Sequence, residues 1–186
     1  MTASGRRFFP LAPRLEDVSL ADIAHALGAV NRFGGHTRWP YSVAQHSVLV
    51  SRQLALEGPA VALLGLLHDA SEAYLGDVPR PLKQDPVFAA YRLAEARLEA
   101  VILEALGVLP LWTPGVQALV KGADRRMLRT EQAQLMPPPA PGEDREDVAP
   151  YPLLLAPWSA DSARARFLDT YDALRADLAP LAEPAR

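Results

Sequence analysis

The sequence predicts an all-α protein, a compact irregular bundle of helices. No stretch alternates apolar and polar residues with period two for long enough to form a strand, and valine and isoleucine runs are short. Leucine, alanine and arginine are abundant, and the segments they fill are bounded by serine, proline and glycine at positions where helices start and stop. With 186 residues, 49% of them hydrophobic, the chain can bury one core, so residues 1–186 are read as a single domain.

Taken in order, Ser19 suits the N-cap of a first helix over residues 20–30, with Asp22 in its first turn. Leu20, Ile23, Ala24 and Leu27 then share one apolar stripe. The stretch NRFGGHTRWPY, residues 31–41, contains a Gly-Gly pair and a proline and is predicted as a loop. It carries Arg32, Phe33, His36, Arg38 and Trp39. Ser42 caps a second helix that ends at Gly58, and Pro59 opens a third over 59–75, stopped by Gly76. Three prolines in DVPRPLKQDP, residues 77–86, predict a rigid non-helical path. A fourth helix covers 86–106 and closes at Gly107; on it Arg92, Glu95 and Glu99 read as a solvated face. A fifth starts near Pro114. A Pro-rich, charged excursion follows at about 136–158, and a last helix over 159–178 turns Ala163, Phe167, Tyr171 and Leu174 toward the core.

Composition removes several function classes. The chain has no cysteine, which excludes disulfides, thiolate zinc sites, iron-sulfur clusters and a cysteine nucleophile, and any metal must be held by nitrogen and oxygen. Nineteen basic against 22 acidic side chains, a net charge of -3, argue against a domain that wraps duplex DNA. Small anionic substrates fit if positive charge is local. Apolar runs fall short of the ~18–20 residues needed to span a bilayer, and the first residues lack a signal-type apolar segment. A cytoplasmic protein without a membrane partner is the expectation.

The four histidines lie at positions 25, 36, 46 and 68. His68 follows the apolar run ALLGLL, and a buried imidazole beside the carboxylate of Asp69 is costly unless hydrogen bonds or a cation satisfy both. A divalent ion at the helix edge would do so. Antiparallel packing of the second and third helices brings His46 to the same ion, and Asp124 in KGAD supplies a further oxygen. Two imidazoles with carboxylates favour Mn, Co, Fe, Ni or Zn over Mg. His25 reads as a core-edge histidine, and Trp39 and Tyr74 as packing residues.

The segments VAQHS, LLHDASEAYLGDVPRPLK and LVKGAD resemble the successive motifs of the HD-domain metal-dependent phosphohydrolase superfamily, most of all its 5′-deoxynucleotidase-like branch. The likeness spans about residues 30 to 130. It implies one divalent cation held by His46, His68, Asp69 and Asp124, with Glu72 and Asp77 as catalytic carboxylates. Asn31-Arg32-Phe33 resembles an Asn-Arg-Trp segment of that branch with the aromatic changed, which assigns Arg32 and Phe33 to substrate binding, joined by His36 and Lys83. Arg125, Arg126 and Arg129 are expected to brace helices rather than bind nucleic acid. The implied activity is hydrolysis of (deoxy)nucleoside 5′-monophosphates. Its alternatives are a phosphodiesterase or nucleotide pyrophosphohydrolase, and a non-catalytic nucleotide-binding sensor. The expected partner is a small phosphorylated metabolite, a nucleotide, with no stable nucleic-acid partner; a homodimer is the expected assembly.

Overall fold

The computed structural model describes residues 1–138 and 148–178. Among them the chain forms eight α-helices: α1 (Leu20–Ala29), α2 (Val43–Gln53), α3 (Pro59–Leu67), α4 (Glu72–Leu75), α5 (Arg80–Gln84), α6 (Ala89–Ala105), α7 (Pro114–Leu135) and α8 (Ala160–Leu178). No strand occurs among the described residues; the only extended pairing there is an isolated antiparallel bridge between Asn31 and Ser42. The fold is an irregular all-α bundle, as predicted. No helix among the described residues is long and apolar enough to cross a membrane.

The apolar run of α3 explains its place at the centre. Every residue from Val61 to Leu67 is buried, and the helix packs against α2, α7 and α8, with α1 completing the layer through α2 and α8. Gly65 permits the close approach of α2: a Cβ there would lie 2.5 Å from Leu54 Cδ1. Side-chain caps set the helix starts, because Ser19, Ser42 and Thr113 each accept a backbone N–H from the first turn of α1, α2 and α7. On α8, Ala163 and Phe167 are fully buried and Tyr171 and Leu174 lie at the core margin.

Four predicted boundaries differ. The second helix, expected to run to Gly58, ends at Gln53 and tightens into a 3-10 turn, Ala55–Glu57. The helix expected over 59–75 is interrupted between Leu67 and Glu72. The His68 ring donates from Nδ1 to the carbonyl of Gly65, the acceptor that a continuing helix would offer to the amide of Asp69. Residues 68–71 then close in tighter turns, with amides bonded three residues back. The segment 77–86, expected to be non-helical, contains α5, because Pro79 caps the turn and Pro81 stands where no amide hydrogen is needed. The helix expected from residue 86 opens with a 3-10 turn, Pro86–Phe88, before α6 begins.

Of the predicted Pro-rich excursion, residues 139–147 lie outside the described residues. Beyond them, 148–158 form an extended strap tied to α7 and α2. Tyr151 donates its amide to Thr130 Oγ1 at 2.8 Å. The Gln134 amide donates to Leu153 O and accepts from Leu155 N, at 2.8 and 2.9 Å, and Gln45 does the same for Ala156 O and Trp158 N, at 2.7 and 3.3 Å. Arg126 adds a bond to Ala149 O and stacks over Tyr151, so it braces the strap rather than a second helix. Side chains of α7 and α2 thereby take the place of a strand partner for several of the strap's backbone groups.

Candidate metal centre

Three separate segments deliver nitrogen and oxygen donors to one point. His46, fully buried, comes from the first turns of α2; His68 and Asp69 come from the turn that ends α3; Asp124 comes from the middle of α7. His46 Nε2 lies 3.4 Å from His68 Nε2, 3.2 Å from Asp124 Oδ1 and 3.6 Å from Asp69 Oδ2. His68 Nε2 lies 3.3 Å from Asp69 Oδ2 and 3.9 Å from Asp124 Oδ1. Donor atoms ~2.1 Å from a shared ion stand about 3.0–3.5 Å from one another, so the spacing suits one cation.

The tautomers agree. His46 Nδ1 donates to Glu131 Oε1 at 2.6 Å, and His68 Nδ1 donates to Gly65 O at 2.8 Å, which turns both Nε2 atoms toward each other, each offering a lone pair once its proton is shed. Two Nε2 atoms at that distance need positive charge between them, supplied by protons shared with Asp69 and Asp124 in the metal-free chain and by a cation that displaces those protons. His46, His68 and Asp124 form a set able to coordinate a metal ion, and Asp69 adds its carboxylate beside them.

Charge points the same way. Arg32, almost fully buried, donates from Nε to Glu131 Oε2 at 3.1 Å and from a terminal nitrogen to Asp69 Oδ2 at 3.3 Å. Three carboxylates against this guanidinium leave two negative charges around the imidazoles, the charge a divalent ion offsets. Against its own burial and the charge of Arg32, Glu131 and Asp124 push His46 up to about 10. His68 is likewise raised, Asp69 and Asp124 overcoming desolvation. Asp69, Asp124 and Glu131 are held below the usual carboxylate range despite burial, Asp69 by His68 and His46, Asp124 by His46, and Glu131 by Arg32 and His46.

A cavity of about 810 Å³ opens beside these donors, within the range of small-molecule sites. Arg32, Phe33, Asp69, Glu72, Asp77, Lys83 and Asp124 all line it. Burial and the Asp69 charge push Glu72 well above the usual carboxylate range, and burial together with Asp69 raises Asp77 despite Arg32. Lys83 Nζ bridges Glu72 Oε1 at 3.1 Å and Glu95 Oε1 at 2.7 Å, and these carboxylates raise its pKa against desolvation.

No family model matches the chain. Among curated proteins it is 41% identical over 135 residues to the uncharacterized protein YfdR of Escherichia coli strain K12, a match covering 72% of this chain and 70% of YfdR. The chain belongs to the YfdR family. A second relative, an uncharacterized protein of Rhodobacter capsulatus, is 36% identical over 138 residues, which is 71% of this chain and 70% of that protein.

In this YfdR-family chain the residues singled out in the sequence converge, with one exception. His36 is exposed and does not line the cavity, because the chain turns through left-handed conformations at Phe33, Gly34 and Gly35 before reaching it. His25, expected at the core edge, is exposed on α1. Tyr74 packs as expected, stacked on Phe8 at 3.7 Å. Two positions beside the cluster and the cavity fall outside the sequence reading. Glu131 stands seven residues beyond Asp124, two turns along the same helix, a spacing that points to it. Glu95 was read as part of a solvated face; it is half-buried and lines the cavity, and Glu99, also half-buried, has a raised pKa from burial.

Proposed function

We propose that this chain is a metal-dependent phosphohydrolase of HD-domain type that hydrolyses deoxynucleoside 5′-monophosphates. The observation that carries the reading is the meeting of two Nε2 atoms with Asp69 and Asp124 at the edge of a cavity that also presents Arg32 and Lys83. His46, His68, Asp69 and Asp124 would hold the cation, which when bound supplies Lewis-acid polarisation of water and of a phosphate oxygen.

The chain's own residues account for the remaining tasks. Arg32 has its Nε committed to Glu131 and one terminal nitrogen to Asp69, so its remaining terminal nitrogen is the one placed to take a phosphate oxygen. Glu72, beside the donor cluster, orients the attacking water. As water oxygen bonds to phosphorus, the ester P–O bond breaks, the leaving alkoxide takes a proton from Asp77, which burial predisposes to carry one, and the proton released by the attacking water returns to the Asp77 carboxylate. Phe33 gives the cavity an aromatic wall for the nucleoside. The products are inorganic phosphate and the nucleoside.

The test is elemental analysis of the purified chain, reconstitution with Mn, Co, Fe, Ni or Zn, and assay of phosphate release from a panel of mono-, tri- and cyclic nucleotides. Release from deoxynucleoside monophosphates supports the reading; a metal-loaded chain that releases none from the panel overturns it. One observation favours a second reading, a nucleotide pyrophosphohydrolase: Lys121 and Arg129 on α7 place additional positive charge on the cavity wall, suited to a longer phosphate chain. Pyrophosphate among the products would select it.

A further inference from the structure

Three side chains of α6 hold the segment that carries Asp77 and Lys83. The Tyr91 hydroxyl donates to the Gly76 carbonyl at 3.3 Å, the Arg92 guanidinium donates to the carbonyls of Lys83 and of Asp85, and Glu95 accepts from Lys83 Nζ at 2.7 Å. Lys83 is thus shared between two carboxylates of different standing. Its shorter contact is to Glu95, on α6 at the cavity wall. Its longer one, 3.1 Å, is to Glu72, whose other oxygen is buried without a hydrogen-bond partner. A phosphate brings more charge and more acceptor oxygens than one carboxylate oxygen, so the longer contact is the one an entering anion displaces.

We propose that Glu95 is a positioning residue: it anchors Lys83 at the cavity wall so that an entering phosphate replaces Glu72 as the second partner of the ammonium and leaves Glu72 free beside the donor cluster. The identity of the anion rests on the phosphohydrolase reading above; the anchoring rests on the contacts of Lys83. Without Glu95 the flexible lysine stem settles on Glu72 alone, and an anion must then break an ion pair to enter. Glu95 itself touches no reacting atom.

The experiment titrates inorganic phosphate calorimetrically into the metal-loaded full chain and measures KM and kcat for deoxynucleoside monophosphates, in the parent and in Glu95→Gln, Glu95→Asp, Lys83→Met and the Glu95→Gln/Lys83→Met double variant. Loss of one charge-assisted contact should weaken phosphate binding and raise KM about tenfold in Glu95→Gln. Metal content and Tm should stay near the parent's, and Glu95→Asp should recover part of the loss. Because Glu95 acts through Lys83, the double variant should bind phosphate no more weakly than Lys83→Met alone. Additive losses, or unchanged phosphate affinity in Glu95→Gln, overturn the proposal, and if Glu95→Gln does not fold, a Glu95→Asp chain with weakened phosphate binding that disappears on the Lys83→Met background keeps it, whereas parental affinity in Glu95→Asp overturns it. A Glu95→Asp chain whose loss adds to that of Lys83→Met removes it. A parent that binds phosphate in a Glu95-dependent way without turning over any nucleotide sinks the nucleotidase reading and keeps this one; turnover with an unchanged Glu95→Gln does the reverse.

Discussion

Glu131 accepts the Nδ1 proton of His46 at 2.6 Å from a position two turns beyond Asp124 on the same helix. One helix, α7, therefore supplies both a direct donor to the cluster and the carboxylate that orients an imidazole in it. Such a partner fixes the tautomer of a ligating histidine and strengthens its basicity. Glu131→Gln should retain the fold and lower metal affinity roughly 10–100-fold, measured by competition with a chromogenic chelator. Glu131→Ala should also lower stability by about 3–5 kcal/mol in denaturant titration, since Arg32 is then left buried without its closer partner.

Asp69 touches both the donor cluster and Arg32. Asp69→Ala should abolish phosphate release and strip the metal from the purified chain. Parental metal content with parental turnover in that variant would remove the metal centre from the account.

The pH dependence follows from His46. Its folded pKa, about 10, exceeds the ordinary 6.5, so in the metal-free chain its protonation stabilises the fold fully below about pH 6.5 and that stabilisation is lost as pH rises toward 10. Metal binding runs the other way, because the imidazoles must shed protons to bind. The gap in Tm between metal-loaded and metal-free protein should therefore widen from pH 6 to pH 9. A gap that narrows over that range would show that metal and protons do not compete at these rings.

Gln45 is almost wholly buried and holds both Ala156 O and Trp158 N. Gln45→Leu keeps the volume and removes both bonds, leaving each backbone group to find water. The expected cost is about 1–3 kcal/mol for each group left unpaired. Faster amide exchange confined to the strap around residues 155–158, with the helices unchanged, is the signature that distinguishes this from general core damage.

The helices were legible because each carries its own local signals. Ser19 and Ser42 precede runs patterned for one buried face, Pro59 and Pro114 stand in first turns, and Gly76 and Gly107 take the positive φ that ends a helix. The donor residues were legible for a different reason: His68 and Asp69 beside a wholly apolar run demand compensation that the run cannot supply. What local signals missed was the break after Leu67, produced by the His68 side chain competing for a backbone carbonyl, and α5, where prolines fall in the one helical turn that tolerates them. Glu95 was misread because a charged residue on a mostly exposed helix looks the same whether its neighbour is water or Lys83.

By itself, then, the order of residues determined the helical class, most helix limits and which imidazoles and carboxylates are too costly to leave unpartnered, since these depend on spacing within a turn or two. Only the tertiary structure decided that His46, His68 and Asp124 reach one point, that Glu131 and Arg32 brace that point, that Lys83 is divided between Glu72 and Glu95, and that His36 stays outside. Those relations join residues 11 to 99 positions apart, and the distance between such groups is set by how α2, α3, α6 and α7 pack, which no local pattern encodes.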